Sequence, residues 1–373
     1  MGFVRLCIAG GGTGGHVFPA LATAAAVRAR AREAALLFVG TATGLEARLV
    51  PAAGYPFETI RVRGLKGKTI TERLAASLLL PLAFEESRRI LARFAPDVVL
   101  GVGGYVAGPV LMAAALGGRP TVLHEQNAIP GLTNRLLSRV ATAVAVGLEA
   151  ARAHLPARRI VVTGNPIRAD LFGHPREASR EAFGLSRDRT TLLVFGGSQG
   201  ARRLNEAMRE AVEALAAPGA ELQVLHATGE RDREAVAAAY AAARLRAVVV
   251  PFIEAMGAAY AAADLVICRA GATTVAELAA LGKPAILVPF PHAANDHQRH
   301  NAAALAAGGG AVLILEGDLN PALLAERIRA LVQDPVRLAM MARAAAAAGR
   351  PDAAERLADL LLEVAGQAAR RES

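Results

Sequence analysis

The chain has 373 residues, 53% of them apolar and 20% charged, which excludes intrinsic disorder and a continuous coiled coil. At roughly 150 residues per domain it is long enough for two domains, each with its own core. Lysine and arginine exceed the acidic residues by 42 − 33 = 9, so phosphate-bearing partners suit it: nucleic acid, a nucleotide or an anionic membrane surface. Lys66, Lys68 and Lys283 are its only lysines, so the positive charge is almost all arginine. Cys7 and Cys268 each lie in an apolar strand-like run, which argues for a reducing compartment and against a disulfide framework. The first residues run directly into a strand pattern, so no secretory leader is expected.

Along the chain, short apolar β-rich runs alternate with longer Ala/Leu/Arg runs of helical period. Strands are predicted at Val4–Ala9, Leu36–Val39, Val98–Val102, Thr121–His124, Thr191–Phe195, Ala247–Pro251, Leu265–Cys268 and Ala285–Val288. This alternation implies βαβ units, parallel sheets and an α/β fold. Val98 to Gly118 carries no charge and is long enough to span a bilayer. Its glycines Gly101, Gly103, Gly104 and Gly108, with Pro109, divide it instead into a strand, a loop and a short helix. After Pro351 a single helix is expected.

The pattern is doubled. Val4–Ala9 leads into Gly10-Gly11-Gly12-Thr13-Gly14-Gly15 and a helix, and Thr191–Phe195 leads into Gly196-Gly197-Ser198-Gln199-Gly200 and another. The two turns lie 186 residues apart, which implies two Rossmann-like domains with a boundary near Gly164-Asn165-Pro166. A strand, a glycine turn and a helix present free N–H groups and a positive helix end, which suits phosphate. Gly10, Gly12 and Gly15 match the dinucleotide spacing, but Leu36 to Thr41 offers no carboxylate for a ribose, which disfavours NAD and FAD. A Walker A loop fails because Val62 stands where the first glycine belongs, ahead of Gly67-Lys68-Thr69.

The same architecture recurs from Val266 to Glu277. Gly271 turns the chain, small residues open a helix, and Glu277 in its second turn can take two ribose hydroxyls. A capped helix with a surface glutamate is the plain alternative. His16 opens the first helix, where a positive helix end favours neutral imidazole, the form a general base needs. His124-Glu125-Gln126-Asn127 ends an apolar strand, at the edge where doubly wound sheets bind ligands, and its side chains suit sugar hydroxyls. His297 and His300 sit three apart, but one carboxylate and no cysteine join them, so no zinc site is expected. No Asp-x-Asp pair occurs. Between Leu65 and Arg89, cations flank the apolar run Leu78–Phe84, the composition of an interfacial membrane contact or of an amphipathic helix on its own sheet.

Six segments then occur in a family order: Gly11-Gly12-Thr13-Gly14-Gly15-His16-Val17-Phe18-Pro19-Ala20-Leu21, Gly103-Gly104-Tyr105-Val106, His124-Glu125-Gln126-Asn127, Gly164-Asn165-Pro166-Ile167-Arg168, Gly196-Gly197-Ser198-Gln199-Gly200-Ala201 and Ala270 to Glu277. The chain closely resembles the MurG family, glycosyltransferases that add N-acetylglucosamine to lipid I in peptidoglycan synthesis. The likeness runs from the first strand to about Asn301.

This resemblance implies a GT-B fold, two Rossmann-like doubly wound domains facing each other across a cleft. Residues 1–165 would take lipid I and touch the membrane, with 351–373 packing back on them, while 166–350 would bind UDP-GlcNAc. It places Ile253 beside the uracil and Glu277 on the ribose. Ser198, Arg168 and the helix start Ala272, Thr273, Thr274, Val275 and Ala276 would surround the diphosphate. Asn127 and Gln298 would hold the sugar hydroxyls. Thr13, Gly14 and Gly15 are expected to serve both donor and acceptor, with Tyr105 and Glu125 beside the acceptor diphosphate. One departure is the loop Pro291–His297, about one residue longer than the family pattern. His16 is the first candidate base and Glu125 the second.

The resemblance also implies an inverting reaction with no metal or other cofactor. It implies peripheral attachment to the cytoplasmic face of the inner membrane, with cell-wall synthesis proteins as further partners. Two other classes compete: another GT-B enzyme, such as a glycolipid transferase or nucleotide-sugar epimerase, and a basic nucleic-acid binder. With 4% aromatics and no tryptophan, the chain lacks a base-stacking platform, so no nucleic acid is expected.

Overall fold

The computed structural model describes residues 3–64, 78–197, 200–216 and 221–372, the side chains of 368–372 excepted. The chain divides into two compact units, Met1–Arg168 with Arg350–Ser373, and Ala169–Gly349.

Unit 1 holds a seven-stranded sheet of β1 (Arg5–Ala9), β2 (Ala35–Gly40), β3 (Phe57–Thr59), β4 (Val98–Gly101), β5 (Thr121–Glu125), β6 (Ala143–Val146) and β7 (Ile160–Val162). All neighbours pair in parallel, in the order β3-β2-β1-β4-β5-β6-β7. The order reverses between β1 and β4, and crevices for ligands open at that point, beyond the carboxyl ends of the strands. Its helices are α1 (Gly14–Arg30), α2 (Glu46–Ala52), α3 (Leu80–Phe94), α4 (Gly104–Leu116) and α5 (Leu132–Leu137).

Unit 2 repeats the plan with six strands, β8 (Thr190–Phe195), β9 (Leu222–Ala227), β10 (Arg246–Val250), β11 (Leu265–Cys268), β12 (Ala285–Leu287) and β13 (Ala311–Leu313). Their order is β10-β9-β8-β11-β12-β13, again all parallel, with the reversal between β8 and β11. Its helices are α6 (Arg176–Ala182), α7 (Arg202–Glu210), α8 (Val212–Leu215), α9 (Arg233–Ala242), α10 (Met256–Ala262), α11 (Ala272–Ala280), α12 (His297–Ala307), α13 (Pro321–Val332) and α14 (Pro335–Ala348).

The predicted strands all form, with ends within one residue of those expected. Among the described residues five further strands are present. Ala143–Val146 is too rich in alanine to look like a strand, and Leu222–Ala227 hides two polar residues in a fully buried run. The other three have only three residues each. Val98–Gly118 becomes β4 and α4, and no helix among the described residues is long and apolar enough to cross a membrane.

Both faces of the first sheet are covered. Val99, Leu123 and Val144 pack on one side with Val106, Val110 and Leu111 of α4 and Ile90 and Leu91 of α3. On the other side Leu6, Ile8 and Leu100 meet Ala20, Ala24 and Val27 of α1. The last helix, α15 (Ala353–Glu372), joins this second face. Ala354, Leu357, Ala358, Leu361, Val364 and Ala365 recur at helical spacing and form its buried stripe. At its exposed edge, Arg159 pairs with Glu363 at 2.7 Å.

Leu361 is 1% exposed within this packing. The substitution Leu361→Ala should cost about 2–5 kcal/mol. Calorimetry should show the transition of unit 1 moved down and that of unit 2 unchanged.

Candidate functional site

In unit 1 the turn after β1 and the loop after β4 meet where the strand order reverses. Gly104, at φ +77°, lies so close to the backbone that a Cβ would stand 2.7 Å from the Gly11 carbonyl oxygen. A Cβ on Gly10 would stand 2.2 Å from Val102 Cγ2. Only glycine permits this approach. Tyr105 lies against the turn, its ring 3.2 Å from a Cβ position on Gly12. Thr13 caps α1 without a side-chain bond to the helix, and while the His16 amide donates to Thr13 O at 3.1 Å, the amides of Gly14 and Gly15 at the head of the helix have no preceding turn to bond.

His16 is half-buried in that first turn, with Nδ1 3.3 Å from Thr13 Oγ1. Its Cδ2–Nε2 edge is the nearest group to a Cβ position on Gly103, at 3.1 Å, with Asn134 Nδ2 next at 3.6 Å. Arg168 stacks its guanidinium 4.8 Å above the Phe18 ring of α1. Beneath the turn is a group that the sequence reading missed. Glu46, 1% exposed, accepts from Gly12 N at 2.8 Å, Thr41 N at 3.0 Å and Thr41 Oγ1 at 2.8 Å.

At the end of β5 the structure corrects one reading. His124 and Gln126 do not face outward for sugar hydroxyls. His124 Nε2 donates to Gly164 O (3.1 Å), and Gln126 Nε2 lies 3.2 Å from His124 Nδ1 and donates to Val102 O at 2.6 Å. Burial pushes the His124 imidazole down to about 4, so it is neutral. Glu125 is 1% exposed, and burial raises its pKa. Its oxygens accept from Asn127 N and Nδ2, Gly131 N and Asn134 Nδ2 at 2.8–3.3 Å. This geometry suits holding the loop 127–134 more than meeting an acceptor hydroxyl. Asn127 is half-buried at the head of that loop.

In unit 2 the turn after β8 packs in the same way. Gly200, at φ +75°, leaves no room for a Cβ, which would stand 2.1 Å from Thr228 O. Asn205 Nδ2 donates to that carbonyl at 2.9 Å and to Asp232 at 2.8 Å. His226 joins Asn205 Oδ1 at 3.1 Å to Tyr240 Oη at 2.8 Å. Ser198 and Gln199 lie outside the described residues.

After β11, Gly271 caps α11, whose first turn holds Ala272, Thr273, Thr274 and Val275 with no acidic residue and no side-chain cap. The positive helix end is therefore offset by no carboxylate of its own first turn. One turn on, beside Ala276, half-buried Glu277 accepts from Tyr260 Oη at 2.8 Å. Tyr260 is itself buried and packs edge-on against Phe195. The tyrosine was not foreseen, since nothing in its local sequence marks it. Gln298 Oε1 accepts from Ala270 N at 3.3 Å and Phe290 N at 2.9 Å, which holds its carboxamide at the β11 turn. Ile253 is buried at 4% exposure beyond β10. His297 Nδ1 lies 2.7 Å from Ala294 O.

His226 supplies a pH test. Burial lowers it to about 3 from its unfolded value of 6.5, so the unfolded chain binds a proton that the folded one refuses. Its contribution is complete above pH 6.5 and is lost as pH falls from there toward 3. His226→Gln should be less stable at pH 7.5. Between pH 6.5 and 5 the wild type should lose more Tm in unit 2 than this variant, as read by thermal unfolding.

Comparison with known proteins agrees with this arrangement. Residues 6–146 match the glycosyltransferase family 28 N-terminal domain, and residues 191–357 match the family 28 C-terminal domain. A Myxococcus xanthus protein named UDP-N-acetylglucosamine–N-acetylmuramyl-(pentapeptide) pyrophosphoryl-undecaprenol N-acetylglucosamine transferase is 48% identical over 361 residues, covering 97% of this chain and 93% of the relative. A Geobacter sulfurreducens protein of the same name is 46% identical, covering 95% and 97%. The crystal structure of Acinetobacter baumannii MurG superposes with a TM-score of 0.79 at 35% identity, covering 96% of this chain and 99% of that one.

Proposed function

The chain belongs to glycosyltransferase family 28, and on that premise we propose that it moves GlcNAc from UDP-GlcNAc to the C4 hydroxyl of MurNAc in lipid I, giving lipid II. The observation that carries this reading is near-full-length identity of 45–51% to relatives named for that reaction. The two glycine turns at the strand-order reversals agree with it.

Unit 2 takes the donor. Glu277, oriented by Tyr260, accepts the ribose hydroxyls, and Ile253 lies beside the uracil. Ser198, Arg168 and the amides around Ala272 and Thr273 receive the diphosphate. Gln298 uses its oxygen on the protein and keeps N–H donors for the sugar, and Asn127 is the second candidate for its hydroxyls. Unit 1 takes the acceptor diphosphate at Thr13, Gly14 and Gly15, beside Tyr105.

The reaction needs a proton acceptor and a place for the leaving charge. His16, whose Nδ1 lies 3.3 Å from Thr13 Oγ1, removes the C4 hydroxyl proton. The oxygen attacks C1 of GlcNAc from the face opposite the phosphate, the C1–O bond breaks, and UDP leaves with the electron pair. A β-1,4 linkage forms. Arg168 and the positive end of α11 meet the growing phosphate charge. Glu125 keeps the loop 127–134 in place.

Exposed apolar side chains of unit 1 support a membrane contact. Leu80, Leu116, Leu132 and Leu136 are exposed on α3, α4 and α5, with exposed Arg135 and Arg139 beside the last two. Apolar side chains among cations suit an anionic bilayer surface. This contact would bring the enzyme to lipid I at the cytoplasmic face of the inner membrane, where cell-wall synthesis proteins are natural neighbours.

The direct test is UDP release from UDP-GlcNAc with and without a lipid I analogue. Release should depend on the analogue; release without it, or binding without turnover, would favour an epimerase or another acceptor. His16→Ala should lower kcat about 100-fold or more with UDP-GlcNAc binding retained. Glu277→Ala should raise KM for UDP-GlcNAc and leave that for the analogue unchanged. In a separate sedimentation assay with phosphatidylglycerol vesicles, Leu132→Glu with Leu136→Glu should reduce binding without altering soluble-analogue turnover.

A further inference from the structure

Glu46 holds its carboxyl group in a chamber of backbone, 1% exposed. A Cβ on Gly11, Gly40 or Gly44 would stand 2.2, 2.5 or 2.1 Å from its side chain, so one glycine of the turn after β1 and two of the stretch from β2 to α2 make its chamber. Burying a carboxylate is costly unless donors replace water. Here Gly12 N, Thr41 N and Thr41 Oγ1 do so. Two of the donors belong to the end of β2, and the third belongs to the turn that leads into α1. The carboxylate thus ties the turn to the sheet.

We infer that Glu46 is a positioning residue for the acceptor diphosphate, acting through the peptide plane of Gly12. By drawing the Gly12 N–H inward it fixes a turn residue at φ +93°, where glycine backbone is otherwise free to move. The amides that follow, Gly14 and Gly15, are then held ready for an anion, with Gly15 exposed at the head of α1. The inference rests on the reading that this turn receives the lipid I diphosphate. The arrangement carries an electrostatic cost, because a negative charge lies under an anion site. Coulomb's law alone predicts that removing it tightens an anion. Positioning predicts the reverse, and the opposite signs make the two separable.

The experiment compares wild type, Glu46→Gln and Thr41→Val in the UDP-release assay with a lipid I analogue. Glutamine keeps the size but turns an NH2 group toward a backbone donor. We expect its KM for the analogue to rise 10-fold or more, with KM for UDP-GlcNAc within twofold of wild type. Thr41→Val removes one of the three bonds and leaves the carboxylate, so its analogue KM should rise 2–5-fold. It also serves if Glu46→Gln does not fold. An unchanged or lowered analogue KM in a folded variant overturns the inference. So does a parallel rise in both KM values with a fall in Tm, which marks a purely structural role. Wild type that releases no UDP with the analogue defeats the transferase reading itself, and the inference with it.

Discussion

The site of unit 1 depends on one contact, the approach of Gly104 to the carbonyl of Gly11. Two loops from neighbouring parallel strands reach the same point because the strand order reverses between β1 and β4. Side chains there would wedge the loops apart. With none, backbone meets backbone, and His16, Tyr105 and the first amides of α1 gather around one small region. In unit 2 a comparable backbone approach, Gly200 against Thr228, joins the turn after β8 to the loop after β9, on the side of β8 away from the reversal. Both sites are made of main chain held closely, and the chemistry-bearing side chains are set at their edges.

What supports these turns is buried polar structure. Under the first turn it is Glu46, and at the end of β5 it is His124 with Gln126. Under the second turn it is Asn205, His226 and Tyr240. Each group is satisfied almost wholly by other protein atoms. Such networks rigidify when complete and are expensive when broken. Neutral histidines serve here as fixed pairs of a donor and an acceptor, and burial keeps them so.

Much of this could be read from the sequence, and the limits have physical reasons. Strand–glycine–helix units stand out because glycine spacing and apolar runs are local, so β1, β8 and β11 with their turns were legible. Glu277 was visible because it lies in the second turn of a helix that a glycine opens. Direction and burial were not visible. The search for a carboxylate at the end of β2 stopped at Thr41. Glu46 arrives one short loop later and turns beneath the glycines, away from any ribose. His124 and Gln126 looked like ligand groups because a polar run at a strand end reads alike whether it faces in or out. Tyr260 finds Glu277 from 17 residues away, through the packing of α10, which no spacing rule encodes.

The return of α15 to unit 1 has a consequence for synthesis. The 181 residues from Ala169 to Gly349 separate the two parts of that unit. At typical ribosomal speeds of 5–20 residues per second, on the order of 10–40 s pass between them. Throughout that interval Leu100 of β4, Val122 of β5 and the inner stripe of α1 lack the helix that packs on them. The nascent first unit waits with an apolar face open while the second is made and folds as a continuous piece. The helix that closes the first core leaves the ribosome only after the whole of unit 2, so the order in which the chain is written is not the order in which it is finished.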